Sequence, residues 1–189
     1  MPRSIILASA SPRRKQLLEM LGLTIVVTPA HVQEMPLPRE SPANYSRRLA
    51  RDKARAIPGE VVLGADTIVV LDGLILEKPL DDDDAVAMLM TLQGRTHVVH
   101  TAICLVANGV EHQAADETKV TFRAADEAYL RAYVATGEPR DKSGSYGIQG
   151  YGAALVERVE GDFFSVMGLP VRLVIALLEE AGYKYNFGA

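Results

Sequence analysis

Short apolar runs alternate with stretches of helical period along this chain. Residues 4–8 predict a short buried strand. Ser11 then offers a helix N-cap, and Pro12 a first helical position where its missing N–H costs nothing. That helix is expected to run to Leu21, to bury Leu17, Leu18 and Leu21, and to stop at Gly22. Residues 24–28 alternate toward a second strand. Pro29, Pro36 and Pro38 mark a loop of about a dozen residues, long enough to suggest function. Ser41 and Pro42 repeat the cap-then-proline signature and open a helix ending near Ala56. Residues 61–76 read as strand, interruption at Gly64-Ala65-Asp66-Thr67, strand, turn at Asp72-Gly73, strand. Asp81 to Asp84 open a third helix that ends before Gly94. Residues 96–107, Asn108-Gly109 and residues 110–123 predict a long hairpin. A helix over 126–135 stops at Gly137, and a glycine-rich loop follows over 138–152. Residues 154–159 and 163–166 flank Glu160-Gly161 and predict another hairpin. A strongly apolar helix over 170–181 is closed by Gly182. Strands leading straight into helices, mixed with tight hairpins, predict an α/β fold: a mixed twisted sheet with flanking helices.

The chain has 189 residues, which at roughly 100–200 residues per domain predicts one domain over 1–189. Without a long linker, two lobes sharing a continuous core are expected. Apolar residues make up 48% and charged residues 23%, which excludes disorder and fibrous classes. The net charge of −4 argues against a broad basic surface for nucleic acid. A single cysteine, Cys104, excludes an internal disulfide and a zinc site of several thiolates. Its apolar neighbours predict a buried small hydrophobe. No apolar stretch approaches the roughly 20 residues that span a bilayer, so no membrane partner is expected. The N-terminal apolar run is too short for a signal-peptide core, and a cytoplasmic protein is expected.

Four segments carry candidate chemistry. Ser9-Ala10-Ser11-Pro12-Arg13-Arg14 joins a strand to a helix start, where unpaired N–H groups and the helix dipole favour an anion. Arginine forks match phosphate oxygens, although the same residues also suit a surface helix with solvated arginines. In Gly64-Ala65-Asp66-Thr67, an aspartate at the end of an apolar run must be paired, bound to metal, catalytic, or capping a turn. Lys78, in Glu77-Lys78-Pro79, suits phosphate as a point charge or an exposed strand end. The stretch from Asp141 to Gly152 holds Gly144, Gly147, Gly150 and Gly152, which allow close backbone approach to a ligand or a flexible connection. The acidic run from Asp81 to Asp84 suits a solvated helix start. His31, His97, His100 and His112 lack metal-ligand spacing on any one helix.

Taken together, these segments resemble the Maf family of nucleoside triphosphate pyrophosphatases. The matching stretches run from Leu7 to Arg14, from Arg48 to Ala54, from Gly64 to Thr67 and from Glu77 to Pro79, then from Asp141 to Gly150 and from Gly168 to Pro170. Their order and spacing cover almost the whole chain, and Tyr146-Gly147-Ile148-Gln149-Gly150 looks like the dTTP/UTP-hydrolysing branch. The resemblance implies an elongated, two-lobed fold with a deep central cleft, a homodimer, and a divalent cation such as Mg²⁺ or Mn²⁺. It also implies cleavage of a nucleoside triphosphate between its α and β phosphates. Ser9, Arg13, Arg14, Lys53, Thr67 and Lys78 then become substrate-binding candidates. Glu34 and Asp66 become metal ligands with hard oxygen donors, and Asp66 also the general base. Gln33 precedes Glu34 where the family often has two acids, so no metal role is carried to position 33. Gln149 is expected to read the base: its amide oxygen accepts from N3–H of uracil or thymine while its nitrogen donates to O4. The alternative is a nucleotide-sensing regulator of cell division that acts through a protein partner. It would bind nucleotide without releasing pyrophosphate.

Overall fold

A computed structural model of the chain describes Pro2 and residues 4–187. Strand β1 (Ile5–Leu7) leads into helix α1 (Pro12–Met20), capped by the Ser11 hydroxyl with Pro12 in its first turn. Strand β2 (Ile25–Val27) lies parallel to β1, in register from Ile5 opposite Ile25 to Leu7 opposite Val27. Helix α2 (Pro42–Arg55), capped by Ser41, carries the chain to strand β3 (Val61–Leu71). β3 lies parallel to β1 with Leu7 opposite Leu63. β1–α1–β2 and β2–α2–β3 are therefore parallel crossover units with β1 between its two partners.

β3 turns at Asp72 and Gly73 into strand β4 (Leu74–Leu76), which runs antiparallel to it. Helix α3 (Asp82–Leu92) follows, capped by Asp81. Strands β5 (Thr96–Ala107) and β6 (Val110–Phe122) are joined through Asn108 and Gly109. Helix α4 (Glu127–Val134), capped by Asp126, is followed by three short 3₁₀ turns between Glu138 and Leu155. Strand β7 (Val156–Glu160) runs antiparallel to β6, and helices α5 (Phe163–Met167) and α6 (Val171–Glu180) follow. The seven strands form one mixed sheet in the order β2-β1-β3-β5-β6-β7, with β4 on β3.

The described residues divide into two compact units. The first draws on 1–67, 101–116 and 168–189, and the second on 68–100 and 117–167. Strands β3, β5 and β6 supply residues to both. Leu7, Leu18, Leu49 and Leu63 are buried in the first unit, and Leu89, Leu92, Phe122 and Leu130 in the second. Cys104 is buried against Ala50, Ala54 and Ala102, and burial pushes its thiol up to about 11.

The structure corrects three expectations. β3 is not interrupted at 64–67 but continuous, and Gly64 serves packing rather than a break. Residues 163–166 form a helix turn, not the second arm of a hairpin. Asp162 Oδ1 accepts from the N–H groups of Phe164, at 2.8 Å, and Ser165, which supplies the start signal that the aromatic pair conceals. β7 pairs with β6 instead. Leu21 is only half-buried, because α1 stops at Met20 and Leu21 sits at the cap.

Candidate active site

Ser9 follows the carboxyl end of β1, Glu34 lies in the loop after β2, and Asp66 lies on β3 beyond its pairing with β1. All three belong to the first unit. In open α/β sheets, ligand crevices form outside the carboxyl ends of the parallel strands.

Gly64 is what lets α2 approach this end of β3. A Cβ at position 64 would lie 2.2 Å from the Ala50 carbonyl oxygen and 2.6 Å from the Ala54 nitrogen. Two residues further along β3, on the same face, Asp66 meets the next side chain of α2. Lys53 Nζ donates to Asp66 Oδ1 at 2.7 Å and pairs with Glu34 Oε1 at 2.7 Å. Asp66 is 6% exposed and Lys53 is 8% exposed, whereas the Glu34 side chain is 43% exposed, so the cluster opens to solvent through Glu34. Asp66 Oδ2 is buried without a hydrogen-bond partner. Burial raises the Asp66 carboxyl above the ordinary carboxylate range, and Lys53 and Arg14 oppose that rise. The loop that carries Glu34 is held by Arg48 of α2. Its guanidinium clasps both oxygens of Glu40, at 2.7 and 2.8 Å, and donates to the Met35 carbonyl at 2.8 Å.

Arg14 organises the neighbouring turn. Its Nε donates to the Gly168 carbonyl at 2.9 Å, and its Nη1 to Ser9 Oγ at 3.1 Å and the Ala65 carbonyl at 2.8 Å. Its Nη2 donates to Thr67 Oγ1 at 3.1 Å. Thr67 Oγ1 also accepts from Thr101 Oγ1 at 3.0 Å. The Arg14 fork is thus engaged within the protein, and burial lowers it from its ordinary value. Arg13, one position along α1, is half-buried. Ser9, Arg14 and Thr67 form one cluster, and Glu34, Lys53 and Asp66 another.

Lys78 and Gln149 belong to the second unit, and both are exposed. Their segments are stitched together. Ser143 Oγ donates to the Leu76 carbonyl at 2.6 Å and accepts from Val69 N at 3.1 Å, and Gly144 N donates to the Glu77 carbonyl at 3.2 Å. The glycines around Gln149 also serve packing: Gly147 and Gly150 lie against Glu138, and Gly152 lies against Gly147 and Tyr133. A Cβ on Gly150, at φ 127°, would lie 2.4 Å from Glu138 Oε2, and one on Gly152 would lie 2.7 Å from the Tyr133 hydroxyl.

Sequence reasoning missed Thr101, Glu40 and Glu138 as connectors, and quoted Arg48 only as the start of a matching stretch. Such polar residues carry no local sign of these roles, because the geometry that brings their partners together is set by the fold. Gly168 stood in a quoted motif, but its carbonyl as an acceptor for Arg14 could not be read there.

A family model described as Maf-like protein matches residues 4–181. The dTTP/UTP pyrophosphatase of Anaeromyxobacter dehalogenans is 50% identical over 183 residues, covering 95% of this chain and 94% of that protein. The dTTP/UTP pyrophosphatase of Thermus thermophilus is 48% identical over 182 residues, covering 95% and 96%. That of Koribacter versatilis is 47% identical over 182 residues, covering 94% of each. The match runs through every segment that carries the two polar clusters and the glycine loop, and this chain belongs to the Maf family.

Proposed function

We propose that the protein is a nucleoside triphosphate pyrophosphatase acting on dTTP and UTP. It releases pyrophosphate and leaves the nucleoside monophosphate. One observation carries the reading: a buried carboxylate with an unpartnered oxygen, Asp66, shares the Lys53 ammonium with Glu34 near a capped helix start. The names of the relatives support the substrate class.

Water attacks the α-phosphorus, and the bond to the α–β bridging oxygen breaks. Asp66 orients that water and takes its proton. Arg13 offers a planar fork to phosphate oxygens, and Lys53 and Lys78 offer point charges. Arg14 binds substrate only through what its internal bonds leave, and with Ser9 and Thr67 it shapes the phosphate-binding turn. Phosphoryl transfer is chiefly positioning and charge neutralisation, which suits this residue set.

Asp66 and Glu34 also suit a divalent cation. Among the described residues no group of three or more acidic, histidine or cysteine side chains stands ready for a metal. Mg²⁺ and Mn²⁺, however, are commonly held by one or two carboxylates together with substrate phosphates, and Asp66 Oδ2 is an oxygen in want of a partner. Bound there, such a cation neutralises phosphate charge and polarises the reacting phosphate.

Gln149 reads the base. The preference should run dTTP and UTP first, CTP lower and purine nucleotides lowest. The test is pyrophosphate release across that nucleotide panel, with wild type and Gln149→Glu. Glutamate loses both donors to O4, so pyrimidine turnover should fall far more than phosphate affinity. A wild-type ranking at full rate in the variant would remove Gln149 from base recognition, and absence of pyrophosphate release in wild type would remove the enzyme reading. The protein is further taken to work as a cytoplasmic homodimer without nucleic-acid or membrane partners. A net charge of −4 argues against a broad nucleic-acid surface, and no described helix is long and apolar enough to cross a membrane. Light scattering at working concentration tests the dimer.

A further inference from the structure

We propose that Glu138 is a positioning residue for base recognition: it holds the Gln149 loop in its reading conformation without touching the nucleotide. The inference rests on the assignment of Gln149 as the base reader.

Glu138 opens the turn after α4, just past Gly137. Its carboxylate is the hub around which the loop is wound. Oε1 accepts from the Tyr133 hydroxyl at 2.9 Å and from Gly152 N at 3.0 Å. Oε2 accepts from Tyr151 N at 2.8 Å. The Tyr133 hydroxyl in turn accepts from Gly147 N at 3.1 Å. The backbone is therefore gripped on both sides of Gln149, at Gly147 before it and at Tyr151 and Gly152 after it. Two residues away from either grip, Gln149 itself stays exposed. The glycines at 150 and 152 fit this grip, because a Cβ on either would collide with the carboxylate or the tyrosine hydroxyl.

A carboxylate is needed because three donors point at two oxygens, and a carboxylate is acceptor-only. In Glu138→Gln the shape is kept, but one edge becomes a donor. If the amide oxygen keeps Tyr133 and Gly152, the new NH₂ faces Tyr151 N–H, donor against donor. The flipped amide is worse, since it faces Gly152 N–H and a hydroxyl already accepting from Gly147. The loop must shift, and Gln149 shifts with it. The phosphate-binding residues of the first unit make none of these bonds.

The test compares steady-state kinetics of wild type, Glu138→Gln, Gln149→Ala and the double variant on dTTP, CTP and a purine triphosphate. Inorganic tripolyphosphate, a probe without a base, serves as competitive inhibitor. Glu138→Gln should raise KM for dTTP about tenfold, the effect of roughly one lost hydrogen bond. It should compress the preference for dTTP over the purine and leave tripolyphosphate inhibition within about twofold. The double variant should be no worse than Gln149→Ala, the non-additivity expected of residues acting through one another. Tyr133→Phe, which removes the hydroxyl bridging Glu138 and Gly147, should move the same parameters in the same direction. It keeps the question answerable if Glu138→Gln melts early.

If Gln149→Ala compresses the preference while Glu138→Gln and Tyr133→Phe do not, the positioning role is wrong and base reading by Gln149 stands. A Gln149→Ala variant with unaltered preference overturns the base-reading assignment, and with it a role for Glu138 exerted through Gln149. Equal losses toward dTTP and tripolyphosphate would show a general structural role and also overturn the inference.

Discussion

Asp66 is a carboxylate held almost out of water on a fully formed strand, and such a group survives only with a close counter-charge. Lys53 supplies it and at the same time draws in Glu34 from the loop, so three residues far apart in the chain become one polar cluster. The carboxylate, rather than the volume, should be what the reaction needs. Asp66→Asn is expected to keep the fold by circular dichroism and to lose turnover by roughly 10²–10⁴-fold, the usual range for an acid–base group. Near-normal turnover in that variant would remove Asp66 from the chemistry. The presence of Asp66 in a conspicuous motif was legible from sequence. Its partner was not, because α2 offers Arg47, Arg48, Arg51, Lys53 and Arg55, and only packing selects one of them.

At the level of elements, the approach of α2 to β3 depends on one missing side chain. Gly64→Ala would drive a methyl into the backbone of α2, since the nearest atoms are a carbonyl oxygen and an amide nitrogen rather than flexible side chains. A loss of about 1–3 kcal/mol in urea unfolding is expected, in the range of overpacked cores, together with lower activity as Lys53 is pushed away from Asp66. Unchanged stability would mean that α2 moves freely on the sheet. β5 carries a second consequence. His97 is 1% exposed, its Nε2 hydrogen-bonds the Tyr146 hydroxyl at 2.8 Å, and Phe122 packs edge-on at 4.9 Å. Burial lowers its pKa from 6.5 to about 4. As pH falls, the unfolded chain therefore takes up the proton first. The stability due to neutral His97 is complete above about pH 6.5 and is lost progressively toward pH 4, by about 3 kcal/mol in all. Urea midpoints measured from pH 8 to pH 4 should show this fall, and His97→Gln should flatten it.

For the molecule as a whole, the proposed triphosphate substrate sets the requirement. Its charge would have to be met by cations, and arginines, lysines and a divalent ion at Asp66 and Glu34 are proposed for that task. Exhaustive chelation should take nucleotide turnover to background, and Mg²⁺ or Mn²⁺ should restore it. Full turnover in excess chelator would show that the side chains suffice. Melting curves of the chelated protein should remain cooperative, because the folding of the first unit rests on apolar burial around Leu7, Leu18, Leu49 and Leu63 rather than on the ion.

Sequence alone determined most of the elements, because their signals are local. The caps at Ser11, Ser41, Asp81 and Asp126 all form as their residue types dictate, and the turns at Asp72-Gly73 and Asn108-Gly109 fall where they were read. It also carried the resemblance to the Maf family, which the family match over residues 4–181 bears out, since an ordered set of motifs survives being read one residue at a time. Tertiary structure decided whatever depends on a distant neighbour. Gly64 looked like a break until α2 lay against it, and residues 163–166 looked like a strand until Asp162 was seen capping them. That the Arg14 fork holds Ser9, Ala65, Thr67 and Gly168 together could be seen only in the fold. The packing of Gly147 and Gly150 against Glu138 likewise became visible only in the fold. A side chain's type limits the bonds it can make, but only the folded chain brings it the partner.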